Sequence, residues 1–568
     1  MSRTTTEEKH HGIAGGRTDA FPGSLLSCLP VVFCLTGYNH NYIINFTATY
    51  YILWTEGYKD MKYLLGIDLG TSGTKTVLFD QNGKGICSAT VEYPLYQPQN
   101  GWAEQDPHDW YNAAVSTIRT VLGKSGVDKK DVVSLGISGQ MHGLVMLDEN
   151  DEVIRPSIIW CDQRTAKECE EITAKVGYEN LIRITANPAL PGFTLSKLIW
   201  VRNHEPENYA KCKHVLLPKD YVRFMLTGDF ATEVSDASGM QMLDVPNRCW
   251  SDELLNILDI DKNLLAKVYE SPEVTGHISA KAAELTGLSE DTLVVGGAGD
   301  NAAAAVGTGV VEDGKAFTTI GTSGVVFAHT DKLAIDPKGR VHTFCCAVPG
   351  AWHVMGVTQA AGLSLKWFRD NFCAAEKTTA EAMGVDTYEL TNQEAAQSPI
   401  GANKLIYAPY LMGERTPHLD SDCRGIFFGL SAMHQRRDLL RAVMEGVTYS
   451  LNDCLGVLAG MGVAPETMLA CGGGGKSPLW RQMLADVMNC PVATTVNTEG
   501  PALGVAILAG VGAGLYGSVQ EACRAMIHVN PAQEPITENV PKYAKVYEVF
   551  KKLYTANKEL YKDLAELG

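Results

Sequence analysis

Two aspartates of this chain stand where a carboxylate could act on a phosphate ester. Asp68 ends an apolar segment and is followed by the tetrapeptide GTSG at 70–73, whereas Asp300 lies between a second apolar segment and an alanine-rich one at 302–306. A carboxylate can hold Mg²⁺ directly or through water, and a carboxylate beside a reacting hydroxyl can accept its proton. Asp68 and Asp300 are therefore candidates for the metal-binding and proton-accepting groups of a phosphoryl-transfer reaction.

The residues around Asp68 predict a β-hairpin. Residues 63–68 form a short apolar strand signal, GTSG makes a tight turn, and residues 75–80 form the return strand. Glycine lets backbone N–H groups approach an anion, and the Thr71 and Ser72 hydroxyls add hydrogen-bond donors. The hairpin thus predicts a phosphate site, with an ordinary glycine-rich turn as the alternative.

The same tetrapeptide occurs a second time. GTSG at 321–324 lies between predicted strands at 316–320 and 325–328. Two such hairpins predict an α/β fold of two homologous domains that face each other across a nucleotide cleft. This arrangement resembles the actin, Hsp70 and hexokinase superfamily of actin-like, ribonuclease H-like ATPases. In such a fold the two turns could clamp a triphosphate with Mg²⁺, and hinge closure could exclude water.

The position of Asp300 admits two interpretations. Residues 292–297 predict a strand and residues 302–306 a helix, so Asp300 lies at a strand end and a helix start. An aspartate there is often an N-cap, which accepts hydrogen bonds from the first N–H groups of the helix. The functional alternative is a general base that removes the proton from a hydroxyl attacking phosphorus.

The sequence QMHG at 140–143 directly follows another predicted strand, at 133–137. Loops at the carboxyl ends of strands commonly carry ligand contacts in α/β proteins. His142 is therefore a candidate ligand donor, with a structural histidine as the alternative.

Two further glycine patterns resemble nucleotide-binding motifs but do not meet the requirements of those motifs. The run of four glycines at 472–475 fails the P-loop pattern, which needs glycine where this chain has Ala470. The GxGxxG pattern at 512–517 follows a predicted helix rather than a strand, so it does not predict a dinucleotide site. A flat surface at 472–475 would suit an adenine ring or ribose, and a tight strand–helix turn is the alternative.

Composition limits the class of protein. The 568 residues include 48 Lys+Arg and 65 Asp+Glu, for a formal charge of −17, with 45% hydrophobic residues. These values are typical of a globular protein and exclude disordered and collagen-like chains. The acidic balance argues against nucleic-acid binding. Fifteen scattered cysteines without a CxxC pair indicate reduced thiols in the cytoplasm.

The first sixty residues do not match the rest. Their apolar run at 25–35 is too short to span a bilayer, and no small-residue cleavage site follows it. Neither helical nor strand periodicity extends across the segment. We expect residues 1–60 to be an extension outside the fold, disordered or not native, with a targeting segment as the alternative.

Taken together, these motifs resemble the FGGY family of carbohydrate kinases over residues 61–568. Residues 192–204 and 425–445 are similar to the two signature sequences of the family. Further segments that resemble the family lie at 138–143, 216–221, 299–307, 410–418 and 480–487. The resemblance implies a domain at 61–309 that binds sugar and phosphate. It implies a second domain at 310–568 that binds the nucleotide.

The resemblance also implies roles for single residues. Asp300 would deprotonate the terminal hydroxyl of the sugar, and Asp68 would help to position Mg²⁺ and the phosphates. The sugar would contact Met141, His142, Asp300 and Asn301, and Trp102 would shape its pocket. The phosphates would be cradled by Thr71, Ser72, Gly73, Gly321, Thr322 and Ser323, and the adenosine would lie over Gly473 and Gly474. Lys197 and Trp200 fall on one helical face, which predicts core packing for both.

The activity that the resemblance implies is transfer of a phosphoryl group from ATP to D-xylulose, with Mg²⁺. The alternatives are a kinase for ribulose, gluconate, glycerol or a deoxy-ketose, and an actin- or Hsp70-like ATPase without a sugar substrate. The implied partners are small molecules rather than nucleic acid or membrane, in a cytoplasmic enzyme that can form a homodimer.

Overall fold

Two large β-sheets carry the architecture in the computed structural model, which describes residues 61–567. The extension expected at 1–60 lies outside the described residues. The first sheet contains Tyr63–Leu69, Gly73–Asp80, Gly85–Glu92, Val132–Gly139, Val274–His277, Leu293–Val295 and Ala298–Gly299. The second sheet contains Lys315–Ile320, Gly324–Thr330, His342–Cys345, Trp352–Thr358, Thr467–Cys471 and Val492–Ala493.

The two sheets repeat one topology. In the first sheet, Tyr63–Leu69 pairs antiparallel with the strand after its GTSG turn and parallel with Val132–Gly139. In the second sheet, Lys315–Ile320 pairs antiparallel with the strand after its own GTSG turn and parallel with Thr467–Cys471. The repeat confirms the predicted α/β fold and its two homologous hairpins.

Helices surround the sheets and connect their strands. The α-helices of the described chain are Pro107–Ser125, Ala166–Val176, Tyr178–Thr185, Thr194–His204, Pro206–Lys211, Pro218–Thr227, Val234–Ala237, Asp252–Leu258, Ala280–Thr286, Asp300–Thr308, Gly362–Phe372, Ala374–Met383, Thr387–Ala396, Arg436–Gly460, Gly472–Gly475, Pro478–Met488, Gly500–Gly512, Val519–Met526 and Val540–Ala565. Short strands pair as Glu104–Gln105 with Ser157–Ile158, Val145–Leu147 with His214–Leu216, Ala231–Glu233 with Lys267–Tyr269, Leu243–Asp244 with Cys249–Trp250, and Ile406–Ala408 with Ile426–Phe428. Among residues 61–567, none of the helices combines the length and apolar composition that a bilayer-spanning segment needs.

The first sheet is buried on both faces. Leu65 and Ile67 pack into a core with the helix Pro107–Ser125, whereas Leu64 packs into a different core with the helix Gly500–Gly512. Because side chains alternate along a strand, these cores lie on opposite faces of the sheet. Burial on both faces explains why the sequence of the strand Tyr63–Leu69 is apolar along most of its length and does not alternate with polar residues.

The helix Gly500–Gly512, here called the crossing helix, comes from the last third of the chain but packs on the first sheet. A Cβ atom on Gly66 would lie 1.9 Å from the carbonyl oxygen of Ala502, so only glycine permits this approach. The crossing helix also packs against the helix Asp300–Thr308, here called the Asp300 helix. A boundary at 309/310 stays a prediction, and the packing of the crossing helix joins residues from both sides of it.

The second sheet packs against the long helix Arg436–Gly460, and the C-terminal helix Val540–Ala565 joins the same core. Lysine–glutamate pairs on the C-terminal helix, such as Lys551 with Glu548, lie on its exposed face. That face is solvated, as is typical of such charge pairs on a helix.

Candidate active site

The register of three parallel strands brings the two candidate aspartates to one edge of the first sheet. Asp68 is the register partner of Ser138, and Ser138 is in turn the partner of Ala298, two residues before Asp300. Parallel strands all end at the same edge of their sheet. Residues distant in the chain, Asp68 and Asp300, therefore meet at the carboxyl ends of these strands.

Asp68 is held by its neighbouring strand. The Ser138 hydroxyl donates a hydrogen bond of 3.1 Å to Oδ1 of Asp68. Burial raises the pKa of Asp68 to about 6, although the Ser138 hydrogen bond and the charge of Lys75 act in the opposite direction. A carboxylate that is costly to keep ionised without a nearby cation is suited to a divalent metal ion.

Asp300 is the first residue of its helix rather than the N-cap, which is Gly299. Its Oδ1 accepts hydrogen bonds from the backbone N–H and the side-chain amide of Asn301, at 2.7 and 2.9 Å. Burial, and next the negative charge of Asp68, raise the pKa of Asp300 to about 7. The carboxyl lies deep in the site but keeps some exposure to water. A carboxyl with this pKa can exchange a proton near neutral pH.

The QMHG loop lies directly against the Asp300 helix. A Cβ atom on Gly299 would lie 2.9 Å from Cγ of Met141, so the Met141 side chain covers the residue before Asp300. His142, whose φ is +69°, is bonded through Nδ1 to the carbonyl oxygen of Gly239 at 3.0 Å. Burial lowers the pKa of His142 to about 3, so the ring is neutral at ordinary pH. Since a carbonyl can only accept, Nδ1 carries the proton and Nε2 is left as a hydrogen-bond acceptor.

Lys197 does more than pack, which is the role that its helical position predicts. It is fully buried, and its ammonium donates to the carbonyl oxygens of His142 at 2.8 Å and Gly192 at 2.6 Å. Thr194 donates to the same His142 carbonyl at 3.1 Å. The first signature segment therefore fixes the backbone of the histidine loop. Trp200, by contrast, is buried in the core as expected.

The first GTSG turn is fixed by residues from three other segments. The Thr71 hydroxyl bonds Gln140 at 3.3 Å and accepts a hydrogen bond from the Trp160 indole at 2.9 Å, while the Gln105 amide donates to the Thr71 carbonyl at 2.7 Å. Ser72 is exposed beside it. The Trp160 ring, 47% exposed, lies next to a predicted phosphate turn, and no motif in the sequence pointed to it.

The second GTSG turn borders a cavity of about 600 Å³. Gly321 and Thr322 line this cavity together with Gly473 and Gly474, and Tyr388 and Asn392 form another part of its wall. The Thr322 and Ser323 side chains are exposed, and the backbone is held by hydrogen bonds from the residues at 362–363. The structure thus brings four of the predicted nucleotide-binding residues to one cavity, and Ser323 is not among those that line it. Tyr388 and Asn392 lie on the helix Thr387–Ala396, and no sequence motif pointed to this helix as part of a cavity wall.

Trp102 occupies a different environment from the other residues predicted to bind the sugar. The Arg164 guanidinium lies over its ring at 3.6 Å from the centroid, and Trp200 packs edge-on against it at 5.4 Å. Arg164 in turn pairs with Glu104 and Asp162. A contribution of Trp102 to the sugar pocket stays a prediction, and the contacts of its ring are structural.

The arrangement as a whole combines a proton acceptor, a metal-suited carboxylate, two glycine–hydroxyl turns and a neutral histidine acceptor. This is a set of groups for transferring a phosphoryl group to a polyhydroxy compound.

Comparisons with known proteins agree with that chemistry. Residues 63–307 match the N-terminal domain model of the FGGY family of carbohydrate kinases, and residues 316–513 match its C-terminal domain model. The chain is 41% identical to a xylulose kinase of Bacillus subtilis over 500 residues, which cover 88% of this chain and 98% of the relative.

Two further comparisons extend this result. A gluconokinase of Bacillus subtilis is 32% identical over 510 residues, covering 89% of this chain and 98% of the relative. The crystal structure of a ligand-bound xylulose kinase from Lactobacillus acidophilus superposes with a TM-score of 0.81 at 28% identity, covering 89% of this chain and all of that one.

Proposed function

The chain belongs to the FGGY family of carbohydrate kinases, and from this we propose that it transfers the terminal phosphoryl group of ATP to D-xylulose, forming D-xylulose 5-phosphate. The observation that carries the chemistry is the deep carboxyl of Asp300, with a pKa of about 7, beside Asp68. The observation that favours this sugar is the identity to xylulose kinases along most of the chain.

Asp300 is the general base of this reaction. The terminal hydroxyl oxygen of the sugar forms a bond to the γ-phosphorus, and its proton passes to the Asp300 carboxylate. The bond from that phosphorus to the β–γ bridging oxygen breaks, and its electron pair leaves with ADP. Asn301 holds Oδ1 of Asp300 by two hydrogen bonds, so that the second oxygen is free to take the proton.

The two GTSG turns bind phosphate from the two sheets. The Ser72 side chain is exposed at the first turn, and those of Thr322 and Ser323 are exposed at the second. Backbone N–H groups of such glycine-rich turns make an anion-binding concavity. The net charge of −17 repels ATP on average, so the local donors of these turns must supply the attraction.

Asp68 is the residue that fits a metal ion. One of its oxygens accepts the Ser138 hydrogen bond, and the buried carboxyl has no ion pair among residues 61–567. Within the same described range no cluster of three metal-ligating side chains occurs. Mg²⁺ typically binds through one or two carboxylates together with substrate phosphates. When bound, the ion would neutralise phosphate charge; Asp68 would orient it.

The sugar lies between the histidine loop and the Asp300 helix. Nε2 of His142 accepts a hydrogen bond from a sugar hydroxyl, and Asn301 donates from its side chain beside the base. Lys197 and Thr194 hold the histidine loop through its backbone, so they position His142 without touching the sugar.

The test is a coupled assay of ADP release with a panel of pentuloses, hexuloses, glycerol and gluconate. We expect D-xylulose to stimulate ADP release most, and the Asp300→Asn variant to lose the stimulation. ADP release that no sugar stimulates would instead fit an ATPase without a sugar substrate.

Gluconate is the second candidate substrate, because a gluconokinase is 32% identical over most of this chain. The same panel separates the two sugars by their kcat/KM values. Formation of a homodimer and a location in the cytoplasm stay predictions.

A further inference from the structure

Arg415 is a half-buried arginine with an unusual environment. Among residues 61–567 its guanidinium has no hydrogen-bond acceptor and no carboxylate partner. Other arginines in protected positions have acceptors. Arg164 pairs with Asp162, Arg248 with Glu270 and Arg441 with Glu445. The buried Arg223 donates to the carbonyl oxygens of Thr275 and Asp229. Burial alone lowers the pKa of Arg415 to about 10. A cation in such a place is stabilised by any oxygen acceptor that reaches it.

The loop around Arg415 is firmly held, so the missing partner is not a result of a loose backbone. The buried carboxylate of Glu414 accepts hydrogen bonds from the Thr358 hydroxyl at 2.6 Å and from the Arg415 N–H at 2.8 Å. On the other side, the Thr416 N–H donates to the carbonyl of Val357 at 3.0 Å, and its hydroxyl donates to that of Arg340 at 2.7 Å. Arg415 thus projects from between two anchored residues.

A chain of contacts leads from this loop to the sugar site. Thr416 is bonded to Arg340, two residues before His342, whose ring packs against Phe193 at 5.8 Å. Phe193 packs against His142 at 4.9 Å. Burial lowers the pKa of both His142 and His342, and the positive charge of Arg415 lowers both further.

Arg415 therefore lies at the histidine end of the site. The charge that acts on Asp300 at the other end comes from Asp68. Both histidines at the Arg415 end are neutral, so Arg415 supplies the positive charge there and they do not add to it.

We propose that Arg415 is a substrate-recognition residue, which donates hydrogen bonds from its loop beside the second sheet to oxygen atoms at the C1–C2 end of the bound open-chain sugar. The inference rests on the proposed function, which places the terminal hydroxyl at Asp300. The opposite end of a five-carbon chain then lies toward His142 and Arg415. A guanidinium offers donors in a fork, which suits a carbonyl with its neighbouring hydroxyl, and suits a carboxylate at the same place even better.

The experiment compares two ligands that differ at this end. D-xylulose has a C2 carbonyl, and D-xylonate has a C1 carboxylate while sharing the configuration at C3 and C4. Their affinities are measured by calorimetry on the full chain, for wild type, Arg415→Met and Arg415→Lys. Arg524→Met is the matched control, because Arg524 is an exposed arginine without a carboxylate partner in the described part of the chain.

We expect Arg415→Met to weaken D-xylulose about 10-fold and D-xylonate about 100-fold, because a charge-assisted pair is the stronger interaction. Arg415→Lys should recover part of the D-xylonate affinity. The KM for ATP should stay within about twofold of wild type in every variant. Arg524→Met should leave both affinities unchanged.

Three results would overturn the inference. Equal losses of affinity for both ligands would indicate a structural role for Arg415. A raised KM for ATP with unchanged sugar affinities would place Arg415 at the phosphates. A wild-type protein that does not bind D-xylonate would show that Arg415 does not contact the C1 end of the ligand. The proposed function fails separately: if wild type phosphorylates no pentulose but binds D-xylonate through Arg415, the substrate is wrong and the role of Arg415 stands.

Discussion

The backbones of Gly504 and Ala303 touch where the crossing helix passes the Asp300 helix. A Cβ atom on Gly504 would lie 1.9 Å from the carbonyl oxygen of Ala303. Ala303 is three residues after Asp300, so this contact holds the first turn of the helix that carries the proposed base. The position of Asp300 thus depends on a segment two hundred residues later in the chain.

Replacing Gly504 with alanine should therefore destabilise the protein. The added methyl group has no room without moving a backbone, and overpacking of this kind costs about 1–3 kcal/mol. Gly456→Ala is the matched control, because Gly456 lies in the helix Arg436–Gly460 with open space around its Cβ position. That substitution should stabilise by about 0.5–1 kcal/mol. Denaturant unfolding measures both, and equal effects would contradict the close contact.

Asp300→Asn should abolish turnover while leaving nucleotide binding intact. The amide keeps an oxygen to accept the Asn301 hydrogen bonds but cannot take a proton. General bases typically contribute about 10²–10⁴-fold, so kcat should fall at least that far. Steady-state kinetics with D-xylulose and ATP binding by calorimetry check the two halves of this prediction. Near-wild-type turnover in this variant would rule out Asp300 as the base.

The rate should depend on pH through the ionisation of Asp300. A base must be deprotonated to act, and the pKa of this group is raised to about 7. Activity is therefore complete above that pH and lost as the pH falls through it. We expect kcat/KM for the sugar to decrease about tenfold per pH unit below pH 7. A profile that is flat down to pH 5 would contradict the raised pKa.

Asp68→Asn should increase the requirement for Mg²⁺. The amide loses the charge that orients the ion, and the concentration for half-maximal turnover should rise about 10- to 100-fold. Ser138→Ala is a milder control, since it removes only the 3.1 Å hydrogen bond to Asp68. Titration of activity with Mg²⁺ measures both variants. An unchanged titration curve for Asp68→Asn would remove Asp68 from the metal site.

Gly473→Val should weaken ATP binding selectively. Gly473 lines the 600 Å³ cavity, and no atom lies within 4 Å of the position that its Cβ would take. A side chain there fits the fold but takes space from the nucleotide, so the KM for ATP should rise about tenfold or more. The Kd of D-xylulose and the melting temperature should not change. A variant with normal KM for ATP would place the nucleotide elsewhere.

Much of the fold and part of the site follow from local sequence patterns. The two GTSG hairpins, the strands beside them and the helix after Asp300 were predictable, because hydrophobic periodicity and turn residues act over a few neighbouring positions. The helix before the GxGxxG pattern was predictable for the same reason, and the pattern begins at the C-terminal end of the crossing helix.

Other parts of the site had no local signal. Lys197 reads as a core residue on a helix, and only the folded chain shows its ammonium on the His142 carbonyl. Trp160 lies beside Thr71, and Asn392 lines the 600 Å³ cavity, likewise through contacts between distant segments. Trp102, by contrast, is a residue that the resemblance places at the sugar pocket, whereas in the folded chain its ring lies against the Arg164 guanidinium.

The sequence by itself determined which chemical groups the protein has and which strands and turns present them. Only the tertiary structure decided which of these groups meet. Asp68 and Asp300 come together through strand register, and tertiary packing leaves the Arg415 guanidinium without a hydrogen-bond acceptor among residues 61–567. The physical reason is range: a turn or a strand is specified by adjacent residues, whereas the pKa of a buried group is set by everything that surrounds it.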